Sequence, residues 1–415
     1  MTSGALENMA SRADTASYVT AGAGKVNPAV SAITLERFER PADIEQEWRE
    51  LETSGITTVF QRYEWVDANI AHVLPHVNAC PAIVLGRLNG DAAFILPLQI
   101  VKRGPVRMAT WIGGDHAGYN FGLWSRQGAA AMAQLQGAQI KAMLGQVLTD
   151  VDCAFLQRTP KSHNGLAQPL TGLQACPSPT EGYCFDLADD FATILARTGG
   201  SRRRKNIRRQ ERKMRKAAGE LACEILCDRE RARLALDFFF KHKCRNLAMQ
   251  GKTDGFTEPG VRAFFHELLE RSIGMEEPLL QMAGLFAGGK LRAVKGTAIH
   301  HGCANILFSA YANDELAAFG PGSTLLYKHI QQCCERGLSV YDLGIGYEKY
   351  KDSWCDIIQE LDDLYASFTP LGAAMVAALR FCEKLKGRMR RNPALWRGVK
   401  QAKAYISRRA SSQIV

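Results

Sequence analysis

From Ile33 onward the apolar positions alternate between helical and extended spacing, and the same cadence is met twice. In the first pass Ile44, Trp48 and Leu51 mark one face of a helix over 42–51. Phe60, Gln61, Tyr63 and Trp65 lead into a second helix. Strands over 82–85 and 93–100 follow, joined through Asn89-Gly90, a dipeptide that favours the left-handed conformations of a tight hairpin turn. A strand over 106–111 ends at Gly113-Gly114-Asp115, and a helix over 129–148 and a strand from Cys153 to Leu156 complete the half.

The second pass has helices over 231–247 and 259–273, a strand over 279–286, the turn Gly288-Gly289 and a strand over 291–299. After His301-Gly302 comes a β-branched, apolar strand over 306–311, then a loop and the tight turn Gly320-Pro321-Gly322. Ser323 and Thr324 are suited to cap the helix that follows, in which Leu325, Leu326, His329, Ile330 and Cys333 recur at helical spacing. Arg336-Gly337 closes it, and a strand over 338–343 runs into Gly344–Trp354. Two such halves predict an α/β (α+β) chain of two tandem domains over 31–180 and 181–370, with a cleft between them.

Residues 1–30 are rich in Ala, Ser, Thr and Gly without period, which predicts disorder. The net charge of +10 is unevenly distributed. Arg202–Lys216 holds ten basic residues and one acid, and the stretch from Arg380 to the end holds eleven and one. Their nets of +9 and +10 leave −9 for the remainder, so a mildly acidic body carries two strongly basic segments. In the first, a helix over 201–218, only Ile207 and Met214 could form an apolar stripe, and most of its surface should be solvated. It serves as a basic connector or as an anion-binding surface, for CoA phosphates or for an RNA backbone. The segment 371–415 begins as an apolar helix and ends basic, giving a solvated tail or weak contact with an anionic membrane surface.

No apolar run reaches the roughly 18 residues needed to span a bilayer, and no secretory pattern opens the chain, which predicts a cytoplasmic location. Twelve cysteines lie scattered through apolar stretches without a C-x-x-C pair, as reduced core residues would. His72 and His76 have zinc-helix spacing, but Pro75 interrupts it, and no metal is expected. Hydrolase elbows, P-loops and dinucleotide fingerprints are absent from the sequence, which removes those classes.

A glycine turn that opens a helix after a strand offers free backbone N–H groups and a positive helix end, which together hold a pyrophosphate; it can equally be only a turn. Its surroundings resemble GNAT-like acyltransferases of the cellulose-biosynthesis (CelD-like) and BioF2-like group, relatives of Fem-type aminoacyltransferases. The resemblance rests on Tyr311, the run Pro321-Gly322-Ser323-Thr324-Leu325-Leu326, Asp342, and Gly346, Tyr350, Lys351 and Trp354, with Phe60-Gln61 and Trp65 in the first half. Ala317 stands where the wider superfamily carries Gln or Arg.

The resemblance implies tandem GNAT-like domains and acetyl-CoA or another acyl-CoA as cosubstrate. It implies a donor site at Gly320, Gly322, Ser323, Thr324 and Tyr311, with Gln61, Tyr63 and Trp65 facing the cleft on the acceptor side, packing of Trp65 into the first-domain core being the competing view. The acceptor would be an amino or hydroxyl group of a small molecule, saccharide or peptide precursor. Acyl transfer needs a proton acceptor, an oxyanion donor and an acid for the thiolate. Asp342, Glu348, Tyr350 and Lys351 are the best-placed candidates, Asp342 being equally readable as a turn-capping carboxylate. Lys351 could neutralise Asp342 or bind an acidic substrate, and Trp354 reads as core. Two rivals remain: a Fem-type transferase using aminoacyl-tRNA, and a non-catalytic binder of nucleic acid or anions. No aromatic residue is interleaved in the basic helix, which argues against nucleic acid.

Overall fold

A computed structural model describes residues 33–187, 190–249 and 255–391. The expected disorder of 1–30 and most of the basic C-terminal tail lie outside the described residues.

The first sheet starts with β1 (Ile33–Phe38), and two helices follow, α1 (Glu45–Ser54) and α2 (Tyr63–His72). The hairpin β2 (Ala79–Leu88) and β3 (Asp91–Arg103) turns at Asn89-Gly90, with both residues at positive φ as the dipeptide predicts. Next come β4 (Val106–Trp111), the short β5 (Leu123–Trp124) against β3, and helices α3 (Arg126–Ala133) and α4 (Gly137–Val147). The sequence predicts one helix over 129–148. The chain breaks it because Gln139 turns its side chain back to accept the Gln136 N–H and so starts a new helix. Strand β6 (Cys153–Pro160) follows, then the small hairpin β7 (Ser162–His163) and β8 (Leu166–Ala167), and then β9 (Gln174–Pro177).

Strand β10 (Gly182–Asp186) closes the first half, and the second comprises α5 (Phe191–Arg197), α6 (Gly200–Ala218), β11 (Leu221–Leu226), α7 (Arg229–Met249) and α8 (Val261–Arg271). Strands β12 (Gln281–Ala287), β13 (Lys290–His300) and β14 (Cys303–Tyr311) form a meander, followed by α9 (Pro321–Glu335) and β15 (Val340–Ile345). The chain closes with β16 (Ile357–Gln359), β17 (Leu361–Ser367) and α10 (Pro370–Arg391).

The two sheets repeat one topology. Their orders are β1-β2-β3-β4-β6-β17-β9 and β11-β12-β13-β14-β15-β10-β16. In each, four antiparallel strands are followed by one parallel neighbour, β6 on β4 or β15 on β14, and then by antiparallel strands. The sixth strands are exchanged between halves: β10, from the middle of the chain, completes the second sheet, and β17, from its end, completes the first. A boundary at 180 and 181 therefore leaves β10 with the sheet it joins but separates β17 from the first sheet, which it completes.

Exchange is possible because the halves also share a core. Trp65 of α2 is fully buried, 5.1 Å from Phe60 and 5.3 Å from Phe264 of α8, both edge-on. Phe239, Phe265 and Phe308 extend this cluster into the second half. The C-terminal helix is not wholly a solvated tail: Val376 is buried, with Met375 and Leu379 against Met108, Phe155 and Tyr365 of the first sheet. All twelve cysteines are free, but Cys80, Cys227, Cys244 and Cys382 are exposed and not in the core. Among the described residues no helix is long and apolar enough to cross a membrane.

Deleting residues 361–415 removes β17, and with it Leu364 and Ala366 from the first core. The truncated chain is expected to lose its cooperative thermal transition; one that melts like the full chain would show that the exchanged strand is dispensable.

Candidate active site

Strands β14 and β15 run parallel for only three residue pairs, Cys303–Asn305 against Val340–Asp342. Beyond them β14 continues to Tyr311 while β15 turns away at Gly344. In β14 the register against β13 also shifts: Thr297 pairs Ile306 and Gly296 pairs Phe308, which leaves Leu307 as an inserted residue. A bulge next to a splayed parallel pair leaves backbone N–H and C=O groups without ladder partners, and these are the groups an extended amide-bearing chain can pair with. A pocket of about 150 Å³ opens at this point. Asn305–Leu307 and Asp342–Ile345 form one wall, and Phe60, His116 and Tyr119 of the first half form the other.

Asp342 sits at the base of the wedge and is 7% exposed. Its Oδ1 accepts the Gly344 N–H at 2.6 Å and the Tyr119 hydroxyl at 3.1 Å. Burial pushes its carboxyl up to about 6, against the opposing effects of these two donors and the Lys351 charge. Burial, and then the Asp342 charge, hold the Tyr119 hydroxyl well above its ordinary value, so it stays a neutral donor at physiological pH. Tyr119 reaches this position because Gly182 of β10 has no side chain: a Cβ there would lie 2.2 Å from the Tyr119 oxygen. The exchanged strand thus makes room for the residue that crosses between halves.

The other proposed catalytic residues are dispersed. Lys351 is buried and donates to the carbonyls of Gly344 and Ile345 at 2.9 and 3.0 Å, fastening the turn after β15. Glu348 and Tyr350 are exposed on that turn and do not line the pocket. Trp354 is core, stacked on Phe185 at 5.8 Å.

Ser323 and Thr324 are not the N-caps of α9. That position is Gly320, at φ 72, with Pro321 as the first helical residue, where its missing N–H costs nothing. Both hydroxyls instead lie near the Gly320 carbonyl, at 2.9 and 3.2 Å, and near Oε1 of Gln210 on α6, each at 3.2 Å. Gly322 follows directly, and Tyr311, 42% exposed, ends β14 beside it, with its Cδ1 3.6 Å from where a Gly322 Cβ would be.

Helix α6 therefore runs past the glycine turn. Its inward face uses Arg203, Ile207, Gln210, Glu211 and Met214. Ile207 and Met214 are the two residues the sequence predicts for burial, and both are buried. Arg203 lies 3.7 Å over the Trp354 ring and donates to the Ser353 carbonyl, so this cation is part of the packing. Glu211 pairs with Lys328 of α9 at 3.2 Å. Arg204, Lys205, Arg208, Arg209, Arg212 and Lys213 face solvent.

On the first half the expectations divide. Gln61 is buried and does not face the cleft: its amide donates to the Tyr119 carbonyl and Asn120, and its oxygen accepts from Thr58 and the Phe121 N–H. It shapes the loop that presents Tyr119. Tyr63 packs edge-on against Trp48 at 5.9 Å, and Trp65 is sealed in the shared core. Tyr119, which touches Asp342, carries no sequence signal, since its partner is 223 positions away.

Residues 201–352 match the family model described as "Acetyltransferase (GNAT) domain". No curated protein is significantly similar to the chain in sequence. Among solved structures, FemX is 11% identical with a TM-score of 0.52, over 77% of this chain and 95% of that one. The C-terminal domain of a putative lysylphosphatidylglycerol synthetase from Agrobacterium fabrum is 12% identical, with a TM-score of 0.50 over 81% and 95%. A conserved protein of unknown function from Bacteroides thetaiotaomicron is 13% identical, with a TM-score of 0.50 over 80% and 98%. At these identities the likeness is one of fold.

The Asp342 environment makes a prediction whose sign follows from linkage. The folded carboxyl is raised to about 6 from an unfolded value of roughly 3.9, so the ionised form weakens the fold. This contribution to stability is full below the unfolded value and lost as pH rises through the folded one. Asp342→Asn is therefore expected to melt like wild type near pH 4 and above it at pH 7 to 8; equal melting temperatures across that range would place the carboxylate in a solvated setting. With residues 201–352 matched to an acetyltransferase (GNAT) domain and one topology repeated in two sheets, the chain has a tandem GNAT-like fold.

Proposed function

We propose that the protein transfers an acyl group from acetyl-CoA or another acyl-CoA to an amino or hydroxyl group of a small-molecule, saccharide or envelope-precursor acceptor. The observation that carries this reading is the wedge between β14 and β15, with a buried Asp342 at its base and a hydroxyl from the other half upon it. The pantetheine chain would enter the splay beside Ile306 and the inserted Leu307. The pyrophosphate would rest on the N-terminus of α9 at Gly320, Gly322, Ser323 and Thr324, with Tyr311 alongside.

In this reading Asp342, largely ionised at neutral pH, takes the proton of the attacking nucleophile as the carbon–nucleophile bond forms. The Tyr119 hydroxyl donates towards the charge that develops as the carbon–sulfur bond breaks. Lys351 holds the turn that aims Asp342, and Gln61 holds the loop that aims Tyr119. Glu348 and Tyr350 are exposed on the turn after β15, and contact with an acceptor is their available role. The first half supplies groups to this wedge and has no Gly-Pro-Gly helix start of its own, which favours a single donor site.

Removing the Tyr119 hydroxyl takes away a donor that lowers the Asp342 carboxyl. Tyr119→Phe is expected to reduce kcat by about 10²-fold, within the range of single oxyanion-type donors. It should also move the acidic limb of the pH–rate profile to higher pH; a fall in rate with the limb unmoved would make Tyr119 a packing residue only.

A second reading, transfer from aminoacyl-tRNA, is favoured by the exposed cations of α6 beside the glycine turn. Calorimetric titration with acetyl-CoA and longer acyl-CoAs separates the two: saturable binding of one of them is expected, weakened by Gly320→Ala. If none binds, and tRNA is held at physiological salt with a steep salt dependence lost in Arg204→Glu/Arg208→Glu, the donor is aminoacyl-tRNA.

A further inference from the structure

The turn that joins β13 to β14 is built from His301-Gly302, with φ of 47 and 73. A two-residue hairpin turn with both residues in the left-handed region favours Asn, Asp or Gly at its first position, and His301 stands where those residues are preferred. Its ring stacks on that of His300 with centroids 4.0 Å apart. Facing the pair is Glu277, on the segment before β12. Donor atoms of Glu277, His300 and His301 all lie within 4.8 Å of one another.

We propose that Glu277, His300 and His301 form a binding site for a divalent transition-metal ion of the zinc class, separate from the acyl-transfer wedge. The separation of Glu277 Oε2 and His300 Nδ1 is 3.1 Å, close to the edge of a tetrahedron with metal–ligand bonds of roughly 2.0–2.2 Å. An ion would replace the proton these two atoms now share. The exposed His301 closes the third ligand position by a small rotation of its side chain, and solvent takes the fourth. Two imidazoles and one carboxylate are a donor set of intermediate softness, suited to zinc, cobalt or nickel and poorly suited to calcium or magnesium.

Glu277 is held from outside, as a ligating side chain requires. The Glu277 carboxylate accepts the backbone N–H of His301, and its main-chain carbonyl accepts from Arg62 of the first half at 2.7 Å. His300 is 94% buried by its 6% exposure, and its Nε2 is enclosed without a partner, so its ring is fixed by packing. Neither His72 nor His76, whose zinc-like spacing Pro75 interrupts, belongs to this cluster. Its ligands become neighbours only when the segment before β12 folds over the β13–β14 turn. A bound ion would tie that turn to the Arg62 anchor and brace the start of β14, two residues before the pocket wall at Asn305.

His301→Asn tests the site without endangering the fold, because asparagine suits the left-handed turn better than histidine does. The full chain, freed of metal by chelator, is titrated with cobalt(II) and then zinc. Wild type is expected to take up one equivalent of cobalt with the intense visible bands of tetrahedral coordination and no thiolate charge-transfer band, to exchange it for zinc, and to gain melting temperature on loading. His301→Asn should melt at or above the metal-free wild type and lose at least tenfold in affinity, with the metal-dependent gain gone. Glu277→Gln should lose affinity similarly. Absence of the visible bands in wild type, bands of thiolate origin from the exposed cysteines, or unchanged affinity in His301→Asn would each overturn the proposal.

Discussion

Each sheet of this protein is completed by a strand from the other half of the chain, and most of the remaining architecture depends on that exchange. A sixth strand brings a full ladder of backbone hydrogen bonds and one side of a hydrophobic core, so neither sheet can close while its donor half is displaced. The shared aromatic cluster around Trp65, Phe264 and Phe265 sits where the two halves must then approach. Crossing strands and crossing side chains reinforce one another, and the two tandem units fold as partners although each has its own sheet.

The same geometry makes the candidate site composite. Asp342 comes from the second half, the hydroxyl upon it from the first, and the glycine that lets them meet lies on the exchanged β10. A carboxylate buried at a strand end is costly, and its raised pKa expresses that cost. The Gly344 N–H and Tyr119 hydroxyl offset part of it, and Lys351 adds a favourable charge while fastening the adjacent turn. Stability given up at such a position is a common property of sites shaped for proton transfer.

Helix α6 shows how one run of basic residues divides between structure and surface. Arg203 is spent on the Trp354 ring and Gln210 on the start of α9, while the cations one step round the helix remain in water. The inward face positions the glycine turn, and the outward face surrounds it with positive potential.

Local chemistry was legible in the sequence wherever neighbouring residues decide the outcome. Asn89-Gly90 determined a hairpin, Ile207 and Met214 determined which face of α6 is buried, and the spacing of Leu325, Leu326, His329, Ile330 and Cys333 determined the inward face of α9. Even the duplication of the fold was visible as a repeated cadence, because both halves need the same alternation of periods. Only the tertiary structure decided what depends on contacts between distant segments. It exchanged β10 with β17, since hydrophobic pattern specifies that a strand is buried but not which sheet receives it. It sealed Trp65 in the shared core, left Glu348 and Tyr350 exposed on the turn after β15, and brought Tyr119 to Asp342. Periodicity records which face of an element is apolar; the pairing of residues more than two hundred positions apart is set by how the two halves pack, and leaves no local mark.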